Sequence, residues 1–247
     1  MDGNTQRFVV FAVEMILTYS LIIWMRNNQR AGREPWSFIL KILAFGALTA
    51  IISAIVQLKY SFQLTQITHS SYGSWLEALN NLSSSMIEEL GKYMIGVFTL
   101  LSTRHTHKMS DVILYLVVIG LGFSLVEDAI YLTNPHTIPA LRLMSFYLHS
   151  GTSAIIGYSL GRYKFGLAGH KELFVAVFSA IGLHFLFNTS TTLSDPSLSF
   201  VFSFALALFI TLQIFILFRR TLLQEYGLEM RAQRLHHMTL LNTGHLE

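Results

Sequence analysis

Apolar stretches of about twenty residues, each closed off by polar or charged positions, recur from one end of the 247-residue chain to the other. A hydrocarbon core ~30 Å thick takes ~20 helical residues at a rise of ~1.5 Å, so runs of this length predict membrane-crossing helices. They extend from Phe8 to Met25, Trp36 to Leu58, Trp75 to Leu101, Val112 to Leu132, Leu141 to Gly161, Glu172 to Thr192 and Leu198 to Phe218. The pattern predicts an all-α, polytopic transmembrane helical bundle of about seven spans. The first run has no short apolar core followed by a small-residue cleavage site, so it is read as a retained span and not as a removed signal peptide.

The joining segments alternate in basic content. Arg26, Arg30 and Arg33 follow the first run, Lys59 alone the second, and Arg104 and Lys108 the third. Nothing basic precedes Arg142; Arg162, Lys164 and Lys171 follow the fifth run, none the sixth, and Arg219, Arg220, Arg231 and Arg234 the last. Basic loops stay in the cytoplasm, which predicts an outer N-terminus and a cytoplasmic C-terminus.

Composition agrees with a membrane protein: 52% of residues are hydrophobic and 13% charged, with mean hydropathy +0.50. The formal charge of +3 is spread over the cytoplasmic loops as topology requires, with no aromatic-interleaved basic patch, so no nucleic-acid partner is expected. The absence of cysteine excludes disulfides, thiolate metal sites and cysteine nucleophiles. No repeat of 20 to 50 residues is evident, and a single domain over 1–247 is expected, with a cytoplasmic tail over about 219–247. In that tail Leu222, Leu223, Tyr226 and Met230 recur at helical spacing among basic residues, which fits a helix on the membrane surface or a solvated extension of the last span.

Ionisable groups inside membrane spans are costly and face a protein interior or a wet cavity, so each is a candidate for function. Glu88 and Glu89 lie mid-way along the third run, Glu127 and Asp128 in the outer half of the fourth, His149 in the fifth, and His184 with Asn188 in the sixth. Counted from the outer ends at ~1.5 Å per residue, they sit ~8 to 20 Å deep, which predicts a shared, outward-opening cavity. Residues four apart share a helix face: Glu88 with Lys92, Glu127 with Tyr131, His184 with Asn188. Glu89 points ~100° away from Glu88, so one of the two can face the cavity while the other meets Lys92 or Tyr93. Gly91, Gly96, Gly120, Gly122, Gly151, Gly157 and Gly161 would let these helices approach closely. Glu14, in the first run, has no evident basic partner and is expected to be structural or interfacial. His69, His105, His107, His136 and His170 fall in loops and receive no role.

Carboxylate and imidazole together suit hydrolysis by either of two routes. A glutamate can take a proton from water while histidine and asparagine donors stabilise the oxyanion. Alternatively His149, His184 and one or more of Glu88, Glu89 and Glu127 can hold a zinc ion that activates the water. No His-Glu-x-x-His motif and no Gly-x-Ser-x-Gly motif is present.

The stretches "EELGKY" at Glu88 to Tyr93, "GFSLVEDAIY" at Gly122 to Tyr131, "LHSGTSAIIGYSLG" at Leu148 to Gly161 and "HFLFN" at His184 to Asn188 together resemble the PrsW family of bacterial intramembrane proteases. They occur in the family's order and define a motif-bearing core of about 75–192. One departure is Asp128, where the resemblance leads one to expect asparagine. The family is in turn similar to the CAAX prenyl endopeptidase group. Through that group the resemblance implies Glu88 as general base, His184 as its partner in activating water, His149 and Asn188 as oxyanion stabilisers, and Glu89 and Lys92 as orienting residues. It also implies a membrane-anchored substrate, such as an anti-sigma factor, cut at an outward-facing site of a bacterial inner-membrane protein. A proton-coupled transporter using the same groups as a relay, or a non-catalytic scaffold binding a partner helix, are the competing expectations.

Overall fold

The computed structural model describes residues 3–29, 32–68, 74–103, 106–133 and 139–243. The described residues fold into seven helices: α1 (Gly3–Asn28), α2 (Trp36–Thr68), α3 (Ser74–Ser102), α4 (Met109–Leu132), α5 (Pro139–Lys164), α6 (His170–Thr191) and α7 (Pro196–Thr243). Arg30, Arg104, His69, His105 and His136 lie outside the described residues.

Local chemistry sets several helix starts. Asp111, in the first turn of α4, accepts the backbone N–H groups of His107 and Lys108 at 2.9 Å each, and Glu172 does the same for Gly169 in α6 at 2.9 Å. Asp195 caps α7 by accepting from the N–H of Ser197 and Leu198 at 2.8 and 3.2 Å, immediately before Pro196, whose missing donor is harmless at a first helical position.

Five helices, α1, α2, α4, α6 and α7, are long and apolar enough to cross a membrane. With 29 and 26 residues, α3 and α5 are also long enough, but Glu77, Glu88, Glu89 and Lys92 on α3 and Arg142, Arg162 and Lys164 on α5 make them less apolar. The mid-helix charges Glu88, Glu89 and Lys92 are buried inside the bundle, where their cost is met by protein partners instead of lipid. The chain is an integral, multi-pass membrane protein.

At the centre stands α4, buried without a break from Met109 to Ser124. A helix that is apolar all round has to be enclosed, and Val112 to Leu121 form the centre of one apolar core that also takes in Ile39 and Ile42 of α2, Phe146 and Ile156 of α5, Val177 and Ile181 of α6, and Ile214 and Phe218 of α7. Close approach rests on glycine. A Cβ on Gly122 would overlap the carbonyl oxygen of Leu43, one on Gly46 that of Ile119, and one on Gly120 that of His149. Phe8, Ile16, Leu40, Ile55, Phe174, Phe178, Val201 and Phe209 remain exposed on the outer helices, as a lipid-facing surface requires.

The last helix continues unbroken for 48 residues. At ~1.5 Å per residue it is ~70 Å long, over twice the hydrocarbon thickness, so its C-terminal part projects beyond the bundle as an extension of the seventh span. Its first turns beyond Phe218 are tied to the start of α4, where Glu225 accepts from the N–H and hydroxyl of Ser110 at 2.7 and 3.0 Å.

Candidate active site

The serine run that precedes the two glutamates fastens α3 to its neighbours. Ser83 donates to the Tyr60 hydroxyl of α2 at 3.3 Å, Ser84 lies 3.1 Å from the Gln57 carbonyl of α2, and Ser85 accepts from the Asn188 amide of α6 at 3.3 Å. One turn further on, Glu88 and Glu89 therefore enter the bundle at a point already gripped on two sides.

The two glutamates diverge, as a 100° helical step demands. Glu89 is fully buried: its Oε1 accepts from Lys92 Nζ at 2.6 Å and from the Thr152 hydroxyl at 3.1 Å and lies 2.7 Å from His184 Nδ1, while its Oε2, like that of Glu88, has no hydrogen-bond partner among the described residues. Lys92 thus pairs three residues back with Glu89, and not with Glu88 four residues back. Its ammonium also lies 3.2 Å from His149 Nδ1 and 5.2 Å above the Phe123 ring.

Glu88 faces the other way, into a cleft of about 360 Å³ bounded by Ala50, Ala54, Gln57 and Leu58 of α2, Asn80 of α3, and Phe123, Glu127, Ile130 and Tyr131 of α4. Its Oε1 accepts from the Gln57 amide at 2.8 Å and lies 3.0 Å from the Ser84 hydroxyl. Its Oε2 has no hydrogen-bond partner among the described residues and faces His184 Nε2 at 3.5 Å.

A second acidic pair closes the far side. Glu127 Oε2 accepts from Arg142 Nη2 at 2.6 Å and lies 2.8 Å from His149 Nε2. Asp128, fully buried, pairs with the same guanidinium. Tyr131 lies beneath Arg142, its ring 4.3 Å from the guanidinium carbon. Glu14 of α1 is also buried here and accepts from Ser124 at 2.9 Å, so it is a bundle residue and not an interfacial one.

All nine residues singled out in the sequence therefore gather at one centre, drawn from α3, α4, α5 and α6. The sequence reading missed Gln57, Thr152 and Arg142. Gln57 lies in a helix with no legible motif; Arg142, at the start of the fifth run, enters the sequence pattern only through the alternation of basic residues. An intramembrane glutamine was the available signal for the first, and an arginine one turn inside a helix facing two acids was the signal for the second.

The donor set fits a metal ion. Glu88, His149 and His184 can each offer one ligand atom within 4.8 Å of the others. The unpaired Glu88 Oε2 and the His184 Nε2 opposite it are available donors. Each imidazole also has its other nitrogen beside a carboxylate, Glu89 for His184 and Glu127 for His149, the arrangement that fixes a metal-binding tautomer. His149 Nδ1 meets the Lys92 ammonium, and coordination through that nitrogen exchanges this contact. Glu89 and Glu127 are occupied by Lys92 and Arg142 and stand behind the ligands.

Fold and site together define a multi-pass membrane protein with a buried carboxylate and imidazole centre opening into a lateral cleft. A family model described as PrsW family intramembrane metalloprotease matches residues 34–218, and the chain belongs to that family. It is similar to a protein named Protease PrsW from Clostridioides difficile (strain 630), 28% identical over 178 residues covering 68% of this chain and 72% of the relative. A second Protease PrsW, from Geobacillus kaustophilus (strain HTA426), is 28% identical over 147 residues, covering 59% of this chain and 62% of the relative. No solved structure matches the chain. Membership makes the chain an intramembrane peptidase, as its motifs implied.

Proposed function

We propose that the chain hydrolyses a peptide bond of a membrane-anchored protein in the cleft between α2, α3 and α4, with Glu88 taking the proton of the attacking water and His184 orienting that water. The observation that carries this reading is the unpaired Glu88 Oε2, 3.5 Å from His184 Nε2, on a residue that lines the cleft. A water reaching both atoms from the cleft side can give a proton to the carboxylate while its oxygen attacks the scissile carbonyl. The new C–O bond leaves a tetrahedral oxyanion. Asn188, once turned from Ser85, donates to it, while the Lys92 and His149 pair holds positive charge behind it. As the C–N bond breaks, Glu88 returns its proton to the leaving amine. Glu89 and Glu127 fix the orientations of the two imidazoles.

The donor set also supports a metal-assisted form. Glu88, His149 and His184 would hold the ion, and zinc would supply a Lewis acid that makes the attacking water more acidic. In both forms the substrate class is a single-span membrane protein cut near the outer surface, with a membrane-anchored anti-sigma factor as the family resemblance suggests.

Purified chain in lipid vesicles, offered single-span peptides with and without a chelator, separates the two forms. Loss of cleavage on chelation and recovery on adding zinc assigns the metal form; unchanged cleavage assigns the metal-free form. In both, His184→Ala reduces the rate at least ~100-fold, since proton-transfer partners contribute on that order. A rate within threefold of wild type for His184→Ala contradicts the assignment of water activation.

A further inference from the structure

The cleft holds a residue whose geometry goes beyond the family motifs. Gln57 is on α2, near the end of its apolar run and directly after Ala54, Ile55 and Val56, and its side chain crosses to α3. Its Nε2 donates to Glu88 Oε1 at 2.8 Å, while its own carbonyl oxygen lies 3.1 Å from the Ser84 hydroxyl. Ser84 is also 3.0 Å from Glu88 Oε1. Gln57, Ser84 and Glu88 therefore form a closed triangle of polar contacts spanning two helices.

That triangle has a direction. Ser84 has a single hydroxyl proton, and giving it to the Gln57 carbonyl sets the amide so that its NH2 group points at Glu88. The reverse orientation would press the amide oxygen against a carboxylate oxygen. Held by the Gln57 amide, Oε1 is anchored, and Oε2 is left without a hydrogen-bond partner toward His184 Nε2. The two oxygens of one carboxylate thus receive separate tasks, one anchoring and one reacting.

We infer that Gln57 is a positioning residue for hydrolysis, fixing Glu88 through Oε1 so that Oε2 alone meets the attacking water, with Ser84 setting the orientation of the amide. This rests on the assignment of Glu88 to the water. The place of α2 in the bundle does not hang on Gln57 alone, since α2 also packs on α4 through Gly46 and Gly122. Its partners are Glu88 and the serine that orients it.

The test compares wild type, Gln57→Met, Ser84→Ala, the double variant and Glu88→Gln as full chains in vesicles, on a single-span peptide that wild type cleaves. Methionine keeps the length and apolar stem of glutamine and removes the donor. Expected for Gln57→Met is a kcat lower by ~10- to 100-fold, the scale of a small misplacement of a reacting group, with KM within twofold and an unchanged melting temperature. Ser84→Ala lowers kcat by a smaller factor, and the double variant is no slower than Gln57→Met alone, because both changes release the same oxygen. Gln57→His, which restores a donor, recovers part of the loss.

An inactive Glu88→Gln beside a Gln57→Met of wild-type kcat overturns the positioning role and leaves the assignment of Glu88 standing. A Gln57→Met whose loss appears as a parallel fall in melting temperature, or a double variant with strictly multiplied losses, also overturns it. An active Glu88→Gln overturns the assignment of Glu88 on which it rests. If Gln57→Met does not fold, Ser84→Ala carries the comparison alone: a kcat equal to wild type rejects the triangle.

Discussion

Lys92 shows most sharply what a buried charge demands. Its ammonium is fully buried and meets Glu89, His149 and Thr152, so removing it strands an uncompensated carboxylate. Lys92→Met is expected to destabilise the folded chain by ~3 to 5 kcal/mol, read from thermal or denaturant unfolding in detergent. The pair of changes Lys92→Met and Glu89→Leu removes both charges and is expected to recover most of that stability while remaining inactive, since His184 loses its orienting carboxylate. A double variant with wild-type activity contradicts the role given to Glu89. Asp128 behaves differently. It shares Arg142 with Glu127, and Glu14 lies close by, so one cation serves a crowd of acids. Asp128→Asn keeps an acceptor for the guanidinium and relieves repulsion, and is expected to cleave within threefold of wild type with no lower melting temperature. At this scale the sequence was legible wherever a charge had no business in lipid: Glu88, Glu89, Lys92, Glu127, His149 and His184 all stood out. It could not show which partner each would choose. Lys92 is reachable from Glu88 and Glu89 alike along one helix, and only the packing of α5, which brings in Thr152 and His149, turns it to Glu89.

Helix positions followed from apolar run length: six of the seven runs fall within one helix, and the sixth overruns the end of α6 at Thr191 by a single residue. The ends were less legible, because α2 and α7 continue past their apolar windows with polar but helix-compatible residues, to Thr68 and Thr243. Apolarity alone also understated α3 and α5, whose charges are paid for inside the bundle. The glycines belong to this scale, since they set how closely backbones pass. Gly122 admits the Leu43 carbonyl of α2 and stands next to Phe123, which lines the cleft. Gly122→Ala is expected to cost at least ~1 to 3 kcal/mol in unfolding experiments, the scale of overpacking, and to slow cleavage by moving Gln57 relative to Glu88. Full stability in that variant contradicts the close α2 and α4 crossing. The second helix is where sequence reading gave least: its contribution is one amide, invisible until α2 is laid against α3.

Across the whole molecule, the groups of the candidate site form one continuous polar chain in one half of the bundle. From Glu14 and Asp128 through Arg142, Glu127, His149, Lys92, Glu89 and His184 to Glu88, each touches the next in the half of the bundle that holds the α4 C-terminus. Toward the other end, Leu116, Val117, Val118 and Ile119 are buried among apolar neighbours, and the next polar contact is Tyr115 with Glu34. A proton relay across the bilayer needs polar steps throughout, and α4 supplies an apolar plug instead, which favours hydrolysis at one face over transport. The basic loops predict that this face is external. The chain lacks cysteine, so single cysteines can report it directly: a thiol at Ser194 is expected to react with an impermeant reagent on intact cells, and one at Gly166 only after permeabilisation. The reverse pattern contradicts the orientation. The division of labour between the adjacent glutamates is tested most directly by the initial rate at which Glu88→Gln, folded and reconstituted in vesicles, cleaves a single-span peptide cut by wild type. A fall of at least ~1,000-fold with unchanged peptide binding is expected for loss of the group that takes the proton from water; a rate within tenfold of wild type contradicts it.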